Sequence, residues 1–197
     1  YSIENTIKIY QKAISVFYNP NRLTSMEIKK LETLNDFLDD EITASIVALS
    51  EYKLSERDAQ KTVTLVKVSN TIEQLGDLGH DFSEVFMRMH DLNIKSKDVD
   101  IERLTDIHNK LVNLFRDVEE VVQNPIEKTL LELKEKEEEI YAQIREEFDG
   151  HVDKLQNNKD YDGNIFVDAV SIIELSVSKV RDIRKLLLEF VRKYPNS

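Results

Sequence analysis

The stretch VSNTIEQLGDLGHDFSEVFMRM, residues 68–89, places apolar residues at the spacing of one helix face. The positions that form this face follow one another at alternating steps of four and three: Val68, Ile72, Leu75, Gly79, Phe82, Phe86 and Met89. Such spacing is typical of a buried stripe in a helical bundle. At Gly79 the missing side chain would let a neighbouring backbone approach closely, which offsets the roughly 1 kcal/mol that glycine costs a helix. The stretch therefore predicts a long helix packed inside a bundle.

A polar stripe runs beside the apolar one in the same stretch. Glu73, Asp77, His80 and Glu84 recur at steps of four, three and four, so their side chains project from one face of the helix. Gly76 lies between them and leaves space there. We therefore expect a mainly acidic surface next to the buried face.

The rest of the chain carries the same helical periodicity, and only four glycines and three prolines interrupt it. The pattern predicts six long helices, at about 2–18, 24–52, 55–91, 100–123, 125–156 and 164–194. The second helix is expected to begin with a capping box formed by Thr24 and Glu27, and the third with Ser55 and Asp58. Long helices joined by short loops pack as antiparallel neighbours. The predicted fold class is therefore all-α, an elongated six-helix bundle.

The chain also repeats itself. IENTIKIYQKAISVF at residues 3–17 lines up with IERLTDIHNKLVNLF at residues 101–115, and an Asn-Pro pair follows each segment. The repeat predicts two three-helix units, residues 1–95 and 96–197, within one compact domain. At an offset of 105 residues the buried stripe of the third helix maps onto a stripe in the sixth: Ile173, Val177, Val180, Arg184, Leu187, Val191 and Tyr194.

The polar stripe changes between the two halves. At the same offset Glu73 falls on Ser178, whereas Asp77 falls on Asp182. The second half therefore keeps only one acid of the pair.

Composition and charge narrow the function classes. Asp and Glu number 38 against 27 Lys and Arg, and the net charge of −11 argues against nucleic acid, whose phosphates would be repelled. The absence of cysteine excludes disulfides, thiolate metal ligands and thiol nucleophiles. The sequence has no apolar run of about 18 residues, no P-loop, no glycine-rich nucleotide turn and no nucleophile elbow. These observations favour a binding or regulatory protein that meets cations or basic partners.

Three segments carry a resemblance to a known family. They are IEQLGDLG at residues 72–79, VSKVRDIR at residues 177–184 and LDDEITASIVA at residues 38–48. The first is similar to the signature helix of the PhoU family, in which an acid, three residues and an aspartate recur once in each of two three-helix bundles. The second occupies the equivalent place in the second half, and the third is similar to the acidic helix that precedes the signature. The resemblance thus covers both halves and implies the six-helix PhoU fold.

The resemblance implies multinuclear metal clusters, often of iron or zinc, on the bundle surface. The implied ligands are acids of both halves: Asp40, Glu73, Asp77, Asp182 and Glu146, with Glu147 as an alternative to Glu146. Ser178, a poor metal ligand, stands where the family has an acid. Acids four residues apart are also typical of a solvated helix face, and this interpretation stays open.

The resemblance further implies a regulatory domain, not an enzyme, that controls phosphate uptake. The chain is most similar to the PhoU-like domain at the carboxyl end of bacterial sodium/phosphate cotransporters. A free-standing PhoU-type negative regulator of a phosphate ABC transporter and its sensor kinase is the alternative. The expected partner is the membrane domain or a subunit of a phosphate transporter, with a homodimer also allowed. We expect a cytoplasmic location at the inner face of the membrane, and the start at Tyr1 suggests a piece cut from a longer protein.

Two other classes are weighed against this one. A di-metal enzyme could use Asp77 and His80 as an acid-x-x-His element, but the sequence holds a single copy of that element and its buried stripes are apolar. A coiled-coil spacer is disfavoured by the short loops and the repeat. The charged run LKEKEEEIYAQIREEFD at residues 133–149 is predicted to be a solvated helix face, with three residues turned inward: Ile140, Ile144 and Phe148.

Overall fold

The computed structural model describes residues 1–94, 101–157 and 163–195. These residues form six α-helices: α1 Ser2–Tyr18, α2 Arg22–Ser50, α3 Glu56–Asp91, α4 Ile101–Gln123, α5 Glu127–Asn157 and α6 Asn164–Lys193. The prediction of an all-α, six-helix bundle is confirmed. The helix ends that the structure describes lie within two residues of the predicted ones. The 36 residues of α3 span about 54 Å at 1.5 Å per residue, which gives the bundle its length.

The start of α2 differs from the prediction. The predicted capping box of Thr24 and Glu27 is wrong, because the helix already begins at Arg22. Its N-cap is Asn21, whose side-chain oxygen accepts a hydrogen bond from the backbone N–H of Leu23 at 2.8 Å. Asparagine ranks among the best N-cap residues, since its short side chain satisfies an otherwise unpaired N–H of the first turn.

The start of α3 agrees with the prediction. The backbone N–H of Asp58 donates to the Ser55 hydroxyl oxygen at 3.1 Å. This contact caps the helix that carries both glycines and the acidic face.

The helices pack as two connected groups. In the first half α1, α2 and α3 contact one another, and in the second half α4, α5 and α6 do so. The groups are joined where α3 packs along α6 and α1 packs on α4. The division into units at 1–95 and 96–197 stays a prediction, and residues 95–100 at its boundary lie outside the described residues.

The two apolar stripes form the centre of the core. All six side chains of the α3 stripe are buried, and so are the corresponding residues of α6 from Ile173 to Leu187. Gly79 makes room for α1: a Cβ atom there would lie 2.6 Å from Cγ2 of Ile9 and 2.7 Å from Cε2 of Tyr10. The expected close approach of a neighbouring backbone is therefore wrong. Two side chains of α1 approach Gly79 instead.

The charged run of α5 is only partly a solvated face. Ile140 and Ile144 are buried as predicted, and Phe148 packs against the core. Glu137 and Glu147, however, are also buried. The sequence pattern missed them because their burial depends on arginines from other helices, Arg184 of α6 and Arg103 of α4.

Across the described parts of the chain, every helix is too short or too polar to span a lipid bilayer.

Candidate cation site

Helices α2 and α3 bring three carboxylates together on the bundle surface. Glu32 and Asp36 lie one turn apart on α2, and Asp77 faces them from α3. One oxygen atom from each of the three side chains lies within 4.8 Å of the others. We call these three residues the acidic cluster.

Gly76 and Asn35 set the distance between the two helices at this point. A Cβ atom on Gly76 would lie 2.8 Å from the side-chain nitrogen of Asn35, so a larger residue would push α2 away from α3. Asn35 is 1% exposed, and its nitrogen donates to the hydroxyl of Thr6 on α1 at 3.0 Å. The side-chain oxygen of Asn35 has no hydrogen-bond partner among the described residues. The cluster therefore lies next to a tightly packed contact between α1, α2 and α3.

The local charge at the cluster is poorly neutralised. Burial raises the pKa of Glu73 to about 7, with a further contribution from the neighbouring Asp77 charge and a hydrogen bond to it. Burial also raises the pKa of Asp77, as do the charges of Glu32 and Asp81. Burial, followed by the charges of Glu32 and Asp77, raises the pKa of Asp36. Each of these shifts means that an added positive charge would stabilise the ionised cluster.

Lys29 is the cation bonded to the cluster. Its ammonium group donates to Glu32 at 2.7 Å, and this hydrogen bond raises the pKa of Lys29. The lysine side chain is 57% exposed, so solvent screens its charge. One screened ammonium cannot balance three carboxylates, and the site keeps an attraction for cations.

The donor set fits a hard cation. Carboxylate oxygens bind Mg²⁺, Ca²⁺ and Mn²⁺ at about 2.0–2.6 Å, so ligands within 4.8 Å of one another can share one ion. The cluster contains neither histidine nor cysteine, the ligands that zinc prefers. Iron or zinc therefore stays a prediction that rests on the resemblance alone.

The three ligand candidates of the first half, Asp40, Glu73 and Asp77, lie at different places relative to the acidic cluster. Asp77 belongs to the cluster, and Glu73 lies one turn away with a hydrogen bond to Asp77. Asp40 is exposed and lies one turn beyond Asp36. Its neighbour Asp39 accepts a hydrogen bond from Asn70 at 2.5 Å. Asn70 precedes Asp77 by nearly two turns of α3.

The antiparallel register of α2 and α3 was the signal that could have found the cluster. An equal count of residues along both helices from the turn near residue 53 places Asp77 opposite residue 29, within one turn of Glu32, and places Asp40 opposite residue 66. The sequence supplies this register, whereas the family resemblance points to Asp40 of α2.

The second-half candidates do not form an equivalent group. Asp182 and Glu146 are both exposed. Glu147 is buried and accepts a hydrogen bond from Arg103 at 2.9 Å. The acidic cluster is the only group of three or more candidate ligands within the parts of the chain that are described.

His80 lies apart from the cluster. Its Nε2 atom is 3.9 Å from the Glu84 carboxylate, one turn further along α3. The acid-x-x-His element of a di-metal enzyme is thus not assembled around Asp77 in the described residues.

Fold and cluster together define a class: six-helix bundles with a group of three carboxylates on the surface between two helices. The family model for the PhoU domain matches residues 3–86, which cover α1, α2 and most of α3. This part of the chain is therefore similar to a PhoU domain, in agreement with the predicted resemblance.

Solved structures extend the similarity of fold to nearly the whole chain. The crystal structure of PhoU from Pseudomonas aeruginosa has a TM-score of 0.87 at 10% identity, covering 98% of this chain and 92% of that one. The phosphate transport system regulatory protein PhoU from Streptococcus pneumoniae has a TM-score of 0.83 at 11% identity, covering 96% of this chain and 89% of that one. No curated protein sequence matches the chain. At such low identity these structures establish the fold.

Proposed function

We propose that this chain is a regulatory, non-enzymatic PhoU-like module that restrains phosphate uptake. The observation that carries the proposal is the match of the PhoU family model to residues 3–86, in a chain that has the fold of two PhoU crystal structures over nearly its full length. One of those structures is described as a phosphate transport system regulatory protein.

The proposed partner is the membrane domain or a subunit of a phosphate transporter, met at the cytoplasmic face of the membrane. Cytoplasmic loops of membrane proteins carry an excess of Lys and Arg. A chain with a net charge of −11 is attracted to such loops over long range. On α2, exposed apolar side chains such as Phe37 and Leu34 could add a contact area.

Two settings fit this role. In the first, the chain is the cytosolic part of a sodium/phosphate cotransporter; in the second, it is a free-standing regulator of a phosphate ABC transporter and its sensor kinase. In both, the bundle would act through contact with its partner, because the sequence contains no P-loop, no glycine-rich nucleotide turn and no nucleophile elbow. A homodimer is compatible with either setting.

A cation at the acidic cluster is part of the proposal. Glu32, Asp36 and Asp77 would hold it, and it would supply positive charge that ties α2 to α3. Elemental analysis of protein purified without tag or chelator, then incubated with iron, zinc or manganese salts, tests this. We expect metal in the wild-type chain and its loss in Glu32→Gln/Asp77→Asn; equal metal content in the two proteins would refute the site.

Phosphate uptake by living cells tests the function. The segment that encodes the chain is deleted from its natural gene, and the uptake of radiolabelled phosphate is measured in phosphate-replete medium. Removal of a restraint predicts a several-fold faster uptake, which the returned wild-type segment reverses. Unchanged uptake would contradict the proposed role.

The sodium dependence of the released uptake separates the two settings. Replacing sodium by potassium in the medium should abolish the additional uptake if the chain belongs to a sodium-coupled carrier. If it regulates an ABC transporter, the additional uptake should persist without sodium and disappear when ATP is depleted.

A further inference from the structure

The second half contains a buried ion pair at the place that corresponds to the acidic cluster. At the offset of 105 residues, Arg22 corresponds to Glu127, and these are the first residues of α2 and α5. Likewise, Glu32 of the cluster corresponds to Glu137. Glu137 is 1% exposed, so a free carboxylate there would be strongly destabilising.

Arg184 neutralises Glu137. Its Nε atom donates to one carboxylate oxygen at 2.7 Å, and its Nη2 atom donates to the other at 3.1 Å. The arginine is itself buried, with 6% exposure, and it links α6 to α5. A two-pronged arginine–carboxylate contact is among the strongest charge pairs in proteins.

Two further positions differ between the halves and change the charge near Glu137. Asp36 of the cluster corresponds to Tyr141, and the guanidinium of Arg181 lies 4.4 Å from the centre of the Tyr141 ring. The Nε atom of Arg181 is also 3.7 Å from the Glu137 carboxylate. One carboxylate in the second half therefore faces two guanidinium groups.

The first half cannot hold an arginine at these places. Arg181 and Arg184 correspond to Gly76 and Gly79, where a Cβ atom would lie 2.8 Å from Asn35 and 2.6 Å from Ile9. Within the described ranges, Lys29 is the cationic side chain that is hydrogen-bonded to the acidic cluster.

We propose that the Arg184 guanidinium takes, in the second half, the place that a bound cation takes in the first, so that the chain binds a cation through its first half alone. This inference rests on the cation site of the proposed function. A cation then holds α2 against α3, whereas α5 and α6 are held together without one. Arg184 is the residue that makes the two halves different in this respect.

Amide hydrogen exchange on the full chain tests the inference. The exchange rate is measured in chelator-treated protein and again after Mn²⁺ or Zn²⁺ is added. We expect at least a several-fold slowing at residues 32–36 and 73–77 and no change around Glu137 and Arg184. Slowing in both halves would overturn the inference but leave the cation site intact. No change anywhere would contradict the cation site itself and, with it, the inference.

A variant pair tests the role of Arg184 directly. Tyr141→Asp/Arg181→Gly/Arg184→Gly gives the second half the residue types of Asp36, Gly76 and Gly79 and removes both guanidinium groups from Glu137. The α5 and α6 amides of this triple variant should exchange faster than in the wild type without metal and slow down several-fold when metal is added. In the control Tyr141→Asp/Arg181→Gly, which keeps Arg184, added metal should have no effect on these helices. Lack of a metal response in the triple variant would overturn the proposal, and Arg184→Gln in place of Arg184→Gly provides the same test if the glycine variant fails to fold.

Discussion

Gly79 and Arg184 occupy corresponding positions in the two halves and use the space between helices differently. Gly79 leaves room for Ile9 and Tyr10, which fill the core from α1. Arg184 instead fills its own space and places a charge against Glu137. One position in the repeat thus makes room for core side chains in the first half and neutralises a buried carboxylate in the second.

Replacing Gly79 by alanine should destabilise the fold. The new methyl group would overlap the branched carbon of Ile9 and the ring of the fully buried Tyr10, neither of which can swing aside easily. Overpacking typically costs about 1–3 kcal/mol, against roughly 1 kcal/mol gained in helix propensity. We expect a net loss of up to about 2 kcal/mol in the free energy of unfolding by urea.

Gly150 provides the matched control for this substitution. It lies in α5, and a Cβ atom there would meet only a guanidinium nitrogen of Arg103 at 4.0 Å. Gly150→Ala should therefore stabilise the protein by up to about 1 kcal/mol. A stabilising Gly79→Ala would contradict the close packing of α1 against α3.

Glu73 makes the metal-free protein less stable as the pH rises. Burial raises the pKa of its carboxyl to about 7 from an ordinary value of 4.5. The folded protein therefore binds more protons than the unfolded chain between these values, and stability is lost as the pH rises from about 4.5 to 7. Urea unfolding of Glu73→Gln should show a smaller loss over this range than the wild type. Parallel pH profiles for the two proteins would contradict the shift.

His108 should act in the opposite direction. Burial lowers its pKa, and its Nε2 atom is 2.9 Å from the backbone oxygen of Tyr10, to which it can donate as a neutral ring. The unfolded chain then takes up a proton at higher pH than the folded one, so stability is lost as the pH falls below about 6.5. His108→Gln should flatten this acid-side loss in thermal unfolding between pH 7 and 5. A wild-type profile that the substitution leaves unchanged would rule out His108 as its origin.

At the scale of the helices, local signals were predictable and long-range ones were not. The α3 stripe and its Ser55 cap follow from residues close together in the chain, and the structure has both. The α2 cap was missed because Asn21 and Thr24 are both acceptable caps, and only the packed helix decides between them. Burial of Glu137 depends on Arg184, 47 residues away, and no periodicity within α5 reports that contact.

Two alanine substitutions compare the alternative starts of α2. Asn21→Ala removes the hydrogen bond to the Leu23 amide and should lower the free energy of unfolding by about 1 kcal/mol. Thr24→Ala should change it by less than about 0.5 kcal/mol, since that residue lies inside the helix. A larger effect at Thr24 than at Asn21, measured by urea unfolding, would restore the capping box.

At the scale of the whole molecule, the fold could be predicted almost completely, whereas the site could be predicted only in part. Helical periodicity and the internal repeat specify six helices because each pattern is written many times along the chain. The cluster depends on which turns of α2 and α3 meet, and resemblance alone directed attention to Asp40 in place of Glu32 and Asp36. The difference between the halves depends on the contact of Arg184 with Glu137, which no local pattern in the sequence reports.

The acidic cluster gives the most direct test of the account as a whole. Cells that lack the natural segment receive either the wild-type chain in its natural gene or a variant with the cluster neutralised, Glu32→Gln/Asp36→Asn/Asp77→Asn. A control variant removes three exposed acids of α4 and α5: Glu102→Gln/Glu120→Gln/Glu135→Gln. The measurement is the rate of radiolabelled phosphate uptake in phosphate-replete medium.

The account predicts that the wild type and the control variant restrain uptake equally, whereas the cluster variant leaves uptake as fast as in cells without the segment. All three proteins must be present at similar levels, as judged by immunoblot. Equal restraint by the cluster variant and the wild type would contradict regulation through the acidic cluster. Failure of the wild-type chain to slow uptake would contradict the proposed function itself.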